Sequence, residues 1–361
     1  MPADLLDLTG NIRGRISYDG PLSPADEQDM HTVNVIEVEN LTKRFGRVAA
    51  VDNISFQVPE REIFGLLGPN GAGKTTTIRC LLTLIKPTSG TARVAGMDIT
   101  KSPEQVRQAS GYVPQDISVD GDLTGYENLL FYAKLFFIPG KVRKQRIDEV
   151  LEFMELADRA GDLVKTYSGG MMRRLEIAQV LVNRPRVLFL DEPSIGLDPA
   201  TKRVVWKYVT RLRDEFGTTI LLTTHDMSEA DELCDRIAII NTGKIAVIGY
   251  PEELKTTLGG DIVSVVASGP DCHQILAELG YKLLSGTHNG ACDLIVEQGD
   301  REIPRIVESL RNRGITIQSI SLKRATLDDV FLKYSGRRIE GVESGWRDAR
   351  ATRRTMKRLS R

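Results

Sequence analysis

The chain lacks any apolar run long enough to cross a membrane. Its most apolar helical stretch, residues 129–139, contains Lys134 and falls well short of the roughly 18 residues that a spanning helix needs. The four cysteines form no CxxC pair, which argues against a disulfide framework and favours reduced thiols. The net charge of −1 excludes a bulk polycation built for nucleic acid. No secretory signal peptide is apparent.

The length of 361 residues suggests about two domains. Residues 1–33 are rich in Gly, Pro and Asp and are predicted to form a disordered extension, with Met1 and Met30 both open as the start. Residues 34–255 alternate strand and helix signals, which predicts an α/β domain. Within it, a mostly helical subdomain is expected at about 116–182.

The order of strand-like and helix-like patterns changes beyond this domain. Residues 261–335 follow the order β-α-β-β-α-β, which predicts a small α+β module of the ferredoxin-like type. A basic tail follows at 336–361, and its last part, 345–361, holds seven Arg or Lys against one acid. This segment is expected to be a solvated end, or else a helix that contacts anionic lipid.

A phosphate-binding loop is the most specific motif in the chain. The stretch GPNGAGKTT fits G-x-x-x-x-G-K-[ST] between a strand-like run and a helix. We expect its backbone N–H groups to surround phosphate oxygens. Lys74 is expected to reach the β- and γ-phosphates, and the Thr75 hydroxyl to bind Mg²⁺. The residues of the motif are Gly68, Pro69, Asn70, Gly71, Ala72, Gly73, Lys74, Thr75 and Thr76.

Four further polar residues follow short apolar runs. Asp191 and Glu192 end the run VLFL, where the first is expected to hold Mg²⁺ and the second to deprotonate an attacking water. His225 ends the run TTILLTT and is placed to sense the γ-phosphate. Gln115 follows GYVP at the border of the helical subdomain and is predicted to bind Mg²⁺ and report its occupancy.

These motifs, in this order together with YSGG, LDEP and GLD, resemble those of ATP-binding cassette (ABC) ATPases across residues 34–255. The resemblance implies the P-loop NTPase fold, ATP and Mg²⁺ as cofactors, and a head-to-tail homodimer with two ATP molecules at its interface. Phe45 matches the position whose ring stacks on adenine. The residues that this resemblance assigns to the ATP bound by the opposite subunit are Ser168, Gly169, Gly170, Met171 and Asp198.

The motif YSGGM and the stretch at 325–337 are similar to the daunorubicin/doxorubicin-resistance subfamily. That similarity implies a separate ATPase subunit of an exporter, peripheral on the cytoplasmic face of the membrane and driving a membrane-embedded permease. Met172 departs from the arginine expected there. The transported compound, described only as drug-like or amphipathic, and the permease cannot be identified from this chain.

Two alternatives stay open at this point. The first is a soluble ABC ATPase that acts on ribosomes or nucleic acid, but such proteins resemble tandem cassettes or a cassette split by a coiled coil. The second is an importer ATPase, whose motor chemistry is the same. The exporter interpretation is favoured because the C-terminal stretch resembles that subfamily.

Overall fold

The computed structural model describes residues 33–268, 272–283 and 291–335. The predicted extension, up to residue 32, and the basic tail at 336–361 lie outside these ranges, so neither prediction is tested.

A six-stranded sheet runs through the larger part of the molecule. Its strands in spatial order are β10 (Lys244–Gly249), β9 (Arg236–Asn241), β3 (Ile63–Leu67), β8 (Thr219–Thr224), β7 (Val187–Asp191) and β6 (Ser110–Val113). All neighbours are parallel except β10, which runs antiparallel to β9. Such a sheet must be covered on both faces, which explains why its strands are almost wholly apolar.

Successive side chains of the central strands enter two different cores. In β7, Leu188 and Leu190 pack with the helical side, whereas Val187 and Phe189 pack on the opposite face. This alternation follows from the two-residue period of a strand. The sheet therefore packs between two apolar layers, one on each face.

An antiparallel sheet forms the layer on the second face. Its strands in spatial order are β2 (Val48–Pro59), β1 (Asn34–Phe45), β4 (Ser89–Val94) and β5 (Met97–Asp98). Two helices accompany it, namely α1 (Lys74–Leu81) and α2 (Pro103–Ala109). Ile78 and Leu81 of α1 are fully buried in this core.

Helices cover the first face. They are α3 (Gly125–Leu135), α4 (Gly140–Phe153), α5 (Gly169–Leu181), α6 (Pro199–Phe216), α7 (Met227–Leu233) and α8 (Pro251–Thr256), with short 3-10 turns at Ala157–Arg159 and Val164–Thr166. Helix α3 begins with a reciprocal cap, because Glu127 N–H donates to Thr124 Oγ1 and Thr124 N–H donates to Glu127. Within the described ranges, no helix is both long and apolar enough to cross a membrane.

A third sheet belongs to the C-terminal part. The elements there are β11 (Asp261–Ser268), α9 (Cys272–Glu278), β12 (Lys282–Leu283), β13 (Ala291–Val296), α10 (Gly299–Asn312), β14 (Thr316–Lys323) and α11 (Leu327–Ser335). The strands pair antiparallel in the order β12-β13-β11-β14, an arrangement of the ferredoxin-like type. Leu327, Val330 and Phe331 of α11 are buried in the helical core of the larger part.

Candidate functional site

The carboxyl ends of four adjacent strands place the predicted chemistry at one edge of the central sheet. The phosphate loop follows β3, His225 follows β8, Asp191 ends β7, and Gln115 comes two residues after β6. Such an edge of an open parallel sheet is where ligands bind. The cleft found there, called the phosphate cleft below, is lined by Ala50, Pro69, Asn70, Gly71, Ala72, Gly73, Lys74, Thr75, Thr76, Gln115 and Glu192.

The phosphate loop is held in a shape that only glycine adopts easily. Gly73 has φ of 109°, and a Cβ placed there would lie 2.3 Å from the carbonyl oxygen of Ala50. Helix α1 begins directly after it and has no side-chain cap. The first N–H groups of a helix have no intrahelical partner, so the start of α1 suits a phosphate group.

Lys74 is buried at the base of the cleft. Its Nζ donates to the carbonyl oxygens of Gly68 at 2.7 Å and Pro69 at 3.3 Å. The same ammonium lies 3.0 Å from Glu192 Oε1. The Lys74 ammonium is therefore fixed between the loop backbone and the carboxylate of Glu192.

Asp191 gathers hydroxyl groups from three elements. Its Oδ1 accepts from Thr75 Oγ1 at 3.1 Å and from Thr223 Oγ1 at 2.5 Å, and its Oδ2 lies 3.5 Å from the Tyr112 hydroxyl. Burial and the charge of Asp191 raise the pKa of Tyr112, which keeps the phenol protonated and able to donate. The hydroxyl of Thr75 beside this carboxylate forms a set of oxygen donors that suits Mg²⁺.

Glu192 is held in a strained position. Its φ of 52° lies in the left-handed region, which costs a non-glycine residue on the order of 1–3 kcal/mol and recurs at functional sites. Its N–H donates to both the carbonyl and the hydroxyl oxygen of Thr223, at 3.1 Å each. Its Oε2 lies 2.6 Å from His225 Nδ1. The buried carboxylate thus points between His225 and Lys74.

The segment at 168–171, called the signature segment below, lies apart from the phosphate cleft. Ser168 is exposed and caps α5, because its Oγ accepts from Met171 N–H at 3.3 Å. A Cβ on Gly170 would lie 2.4 Å from Thr201 Cγ2. Thr201 in turn donates to Asp198, the cap of α6. The signature segment and Asp198 therefore belong to one continuous surface.

The two methionines at the start of α5 are less exposed than Ser168. Met171 and Met172 are half-buried and pack against the helical core. Nothing further in the structure explains methionine in place of arginine at residue 172.

Phe45 lies outside the phosphate cleft. It ends β1 and is about half exposed, with Lys43 Nζ 5.0 Å from the centre of its ring. The β1–β2 turn that follows it leads to Ala50, which does line the cleft. Phe45 is therefore close in sequence to a residue of the cleft, but its ring does not line the cleft.

The sequence alone did not single out two residues that hold this site. Thr223 bonds both Asp191 and the backbone of Glu192. Arg173, on α5, donates to the carbonyl oxygens of Glu192 and Pro193. A signal for Arg173 was present, because it lies three residues before Glu176, a spacing that places opposite charges on one face of a helix.

Two family models match the chain. Residues 51–195 match the ABC transporter model, and residues 249–335 match the C-terminal domain of ATP-binding proteins similar to DrrA1-3. Together they cover both the phosphate loop and the C-terminal sheet.

Curated relatives cover most of the chain. The daunorubicin/doxorubicin resistance ATP-binding protein DrrA of Streptomyces peucetius is 40% identical over 306 residues, which are 83% of this chain and 92% of that protein. The Nod factor export ATP-binding protein I of Ralstonia nicotianae is 37% identical over 326 residues, which are 89% of this chain and 98% of that protein.

A solved structure shows the same fold. It is a dimeric ATP-binding cassette in a post-hydrolysis state, bound to ADP and Pi, with 27% identity and a TM-score of 0.53. The match covers 60% of this chain and 98% of that one.

Proposed function

The chain belongs to the ABC transporter ATP-binding proteins, and from this membership we propose how its residues bind ATP, hydrolyse it and drive transport. It is an ATPase subunit of an ABC exporter. The observation that carries the mechanism is the contact of Glu192 with both Lys74 and His225 at the edge of the phosphate cleft.

We assign ATP to the phosphate cleft, with its phosphates on the loop and the start of α1. Phosphate oxygens compete with Glu192 for Lys74, so binding frees one carboxylate oxygen of Glu192. The adenine stacks on Phe45, whose exposed ring offers an aromatic face. The oxygens of Thr75, Asp191 and Gln115 would hold Mg²⁺, which would supply charge neutralisation to the phosphates of ATP.

Glu192 is the general base in this proposal. It accepts a proton from water as the water oxygen bonds to the γ-phosphorus, and the bond from that phosphorus to the bridging oxygen of ADP breaks. ADP and inorganic phosphate are the products. His225 holds the carboxylate in place through Nδ1 and leaves Nε2 for the γ-phosphate. Binding the base in a strained, buried position orients it without reorganisation during the reaction.

Two copies complete the active unit. Ser168 uses its oxygen to cap α5, which leaves its own O–H to donate to a phosphate of the ATP held by the other copy. Gly169 and Gly170 permit the close approach, Met171 contributes its backbone, and Asp198 links the two sites. The dimeric form of the structural neighbour supports this arrangement.

The permease docks on the helical side, at the exposed apolar surface formed by Phe131, Leu135 and Phe137. Phe137 is 89% exposed, and the other two are one helical turn apart on α3. Exposed apolar patches of this kind mark interaction sites. The occupant is an apolar cytoplasmic segment of the permease, which would place this subunit on the cytoplasmic face of the membrane.

The exported compound is drug-like or amphipathic in this proposal. The names of the relatives, which refer to daunorubicin resistance and Nod factor export, support export over import and over action on ribosomes. Contact of residues 345–361 with anionic lipid is proposed only as an additional attachment to the membrane.

Replacing Glu192 by glutamine tests the motor. We expect ATP binding to be kept, hydrolysis to fall by about 100-fold or more, and an ATP-dependent dimer to accumulate in size-exclusion chromatography. The conservative variant Asp214→Asn, at an exposed acid on α6, is the control. Near wild-type turnover by Glu192→Gln would falsify the general-base role.

Co-purification tests the docking surface. The full chain, tagged and isolated from detergent-solubilised membranes, is expected to retain a membrane polypeptide that is lost from the Phe131→Ser/Phe137→Ser variant. Phe216→Ser removes an aromatic ring at the end of α6 that is about as exposed as that of Phe131, and this variant should keep the polypeptide. Equal retention by both variants would place the docking surface elsewhere.

A further inference from the structure

Arg173 and Glu176 form a buried ion pair one helical turn beyond the start of α5. Arg173 Nη1 lies 2.8 Å from Glu176 Oε2, and the two residues are 5% and 2% exposed. A buried pair is stable only if further hydrogen bonds satisfy its other donors and acceptors. Backbone groups of two other segments and the hydroxyl of Ser118 do so here.

The first of these segments is the catalytic loop, residues 191–193. Arg173 Nε donates to the Pro193 carbonyl at 2.7 Å, and Nη2 donates to the carbonyls of Glu192 at 3.1 Å and Asp191 at 3.4 Å. The planar guanidinium presents its donors in a fixed fork. It therefore holds three consecutive peptide groups around the left-handed Glu192.

The second segment is the glutamine loop, residues 114–118. Arg173 Nη1 donates to the Pro114 carbonyl at 2.7 Å, directly before Gln115. Glu176 Oε1 accepts from Ser118 N–H at 2.5 Å and from Ser118 Oγ at 2.9 Å. The pair thus holds the glutamine loop on both sides of Gln115.

We propose that the Arg173–Glu176 pair is a positioning unit that makes the signature helix α5, Glu192 and Gln115 move as one body. Neither side chain lines the phosphate cleft. The inference rests on the proposed function, in which the signature segment contacts the ATP of the other copy while Glu192 and Gln115 act on the ATP of their own copy. Closure of the signature on one ATP is therefore transmitted to the base that hydrolyses the other.

Arg173→Lys in the full chain tests this coupling. Lysine keeps the positive charge beside Glu176, but a single ammonium cannot reach the carbonyls of both loops in the way that the guanidinium does. We expect kcat for ATP hydrolysis to fall about tenfold or more, because small displacements of a catalytic group are costly. The KM for ATP should stay within about twofold, and an ATP-dependent dimer should still form in the Glu192→Gln background.

Two variants accompany the test. Arg143→Lys is the matched control, because the Arg143 guanidinium also holds a backbone carbonyl, that of Ile138, but away from the catalytic loop; its kcat should stay within about twofold of wild type. Glu176→Gln keeps an acceptor for Ser118 while removing the charge, and kcat should fall by about threefold or more with KM unchanged.

The outcomes separate this inference from the proposed function. A kcat of Arg173→Lys no lower than that of Arg143→Lys, or a parallel loss of ATP affinity, overturns the positioning role. If thermal unfolding shows that Arg173→Lys does not fold, Glu176→Gln is judged by the same criteria. Failure of the general-base role is read independently, from hydrolysis by Glu192→Gln in a chain whose Arg173 is intact.

Discussion

The phosphate cleft and the signature segment satisfy their polar groups in opposite ways. In the cleft, Lys74, Asp191 and Glu192 are buried and bonded to partners within the chain. In the signature segment, Ser168 is exposed, and its hydroxyl oxygen accepts a hydrogen bond from the N–H of Met171. In the proposed function, the cleft is a preorganised half-site, and the signature segment offers a donor to the ATP held by the other copy.

The starts of the two helices show the same difference. Helix α1 has a glycine cap and no side-chain acceptor for its first N–H groups, which leaves them for phosphate. Helix α5 is already capped by Ser168. A phosphate can therefore satisfy the first N–H groups of α1, whereas at the start of α5 the N–H of Met171 is already bonded to Ser168. This explains why we expect mutations in the cleft to affect ATP binding, and mutations in the signature segment to affect dimer closure.

Lys74→Ala should produce the largest effect. Loss of the buried ammonium is expected to weaken ATP binding about 100-fold or more, because hydrogen bonds to charged groups contribute about 1.5–3 kcal/mol each. Equilibrium binding of a fluorescent ATP analogue to the full chain measures it. Lys244→Ala, at an exposed lysine paired with Asp52, is the control. Unchanged affinity would show that the cleft is not preorganised around this cation.

Ser168→Asp should have the next largest effect, and it should affect the signature segment but not the phosphate cleft. Aspartate also caps helices, so the thermal midpoint and ATP binding by the monomer should be unchanged. Its charge faces a phosphate, and we expect dimerisation in the Glu192→Gln background to weaken about tenfold or more, since opposed like charges cost several kcal/mol. Ser168→Thr is the control. A stable dimer of Ser168→Asp would mean that this residue does not meet a phosphate.

The two glycines of the signature segment are expected to have different roles, one in folding and one in dimer formation. A Cβ at residue 170 would meet Thr201 Cγ2 at 2.4 Å, but one at residue 169 would meet only Leu197 Cδ2 at 3.5 Å. Gly170→Ala should therefore destabilise the fold by about 1–3 kcal/mol. Gly169→Ala should fold normally and weaken only the ATP-dependent dimer. Urea unfolding and sedimentation measure the two effects, and equal stability losses would contradict this division.

The smallest effect is expected at the opposite end of β3. Burial is the main cause that raises the pKa of Glu62 from 4.5 to about 7, beside Arg236. A raised carboxyl pKa means that the folded state binds more protons, so stability falls as pH rises from 4.5 to about 7. Glu62→Gln should therefore be more stable than wild type at alkaline pH, by about 1 kcal/mol after solvent screening.

Urea unfolding at pH 5 and pH 8 measures that difference, with ATP binding as the control. Affinity for ATP should not change, because Glu62 lies at the end of β3 away from the phosphate loop. A stability gain that is the same at both pH values would rule out titration of Glu62 as its cause. A loss of ATP binding would show that function is not confined to the carboxyl ends of the strands.

Contiguous motifs made the cleft predictable. The phosphate loop and the pair Asp191–Glu192 each occupy a few successive residues beside an apolar strand, and the C-terminal order β-α-β-β-α-β was visible as runs of apolar residues. The structure places Gln115 on the cleft lining and His225 against Glu192, as these patterns suggested. The roles of the individual side chains stay proposals.

Contacts between distant segments were not predictable. Thr223 meets Asp191 across 32 positions, and Arg173 meets Pro114 across 59. Nothing in the local sequence distinguishes a threonine that packs within a strand from one that holds a catalytic carboxylate. The different space available at Gly169 and Gly170 was equally unpredictable, because it depends on Thr201 in another helix.

By itself, the sequence determined the local chemistry: a glycine loop that can approach phosphate, an acidic pair at a strand end, and a capped helix start. Short-range backbone preferences and side-chain types are enough for that. Only the tertiary structure decided which of these groups are bonded to each other, which are exposed, and that Arg173 and Glu176 join two loops to the signature helix. The physical reason is that burial and long-range hydrogen bonds arise only when the elements pack together. That packing depends on the two apolar cores on opposite faces of the central sheet.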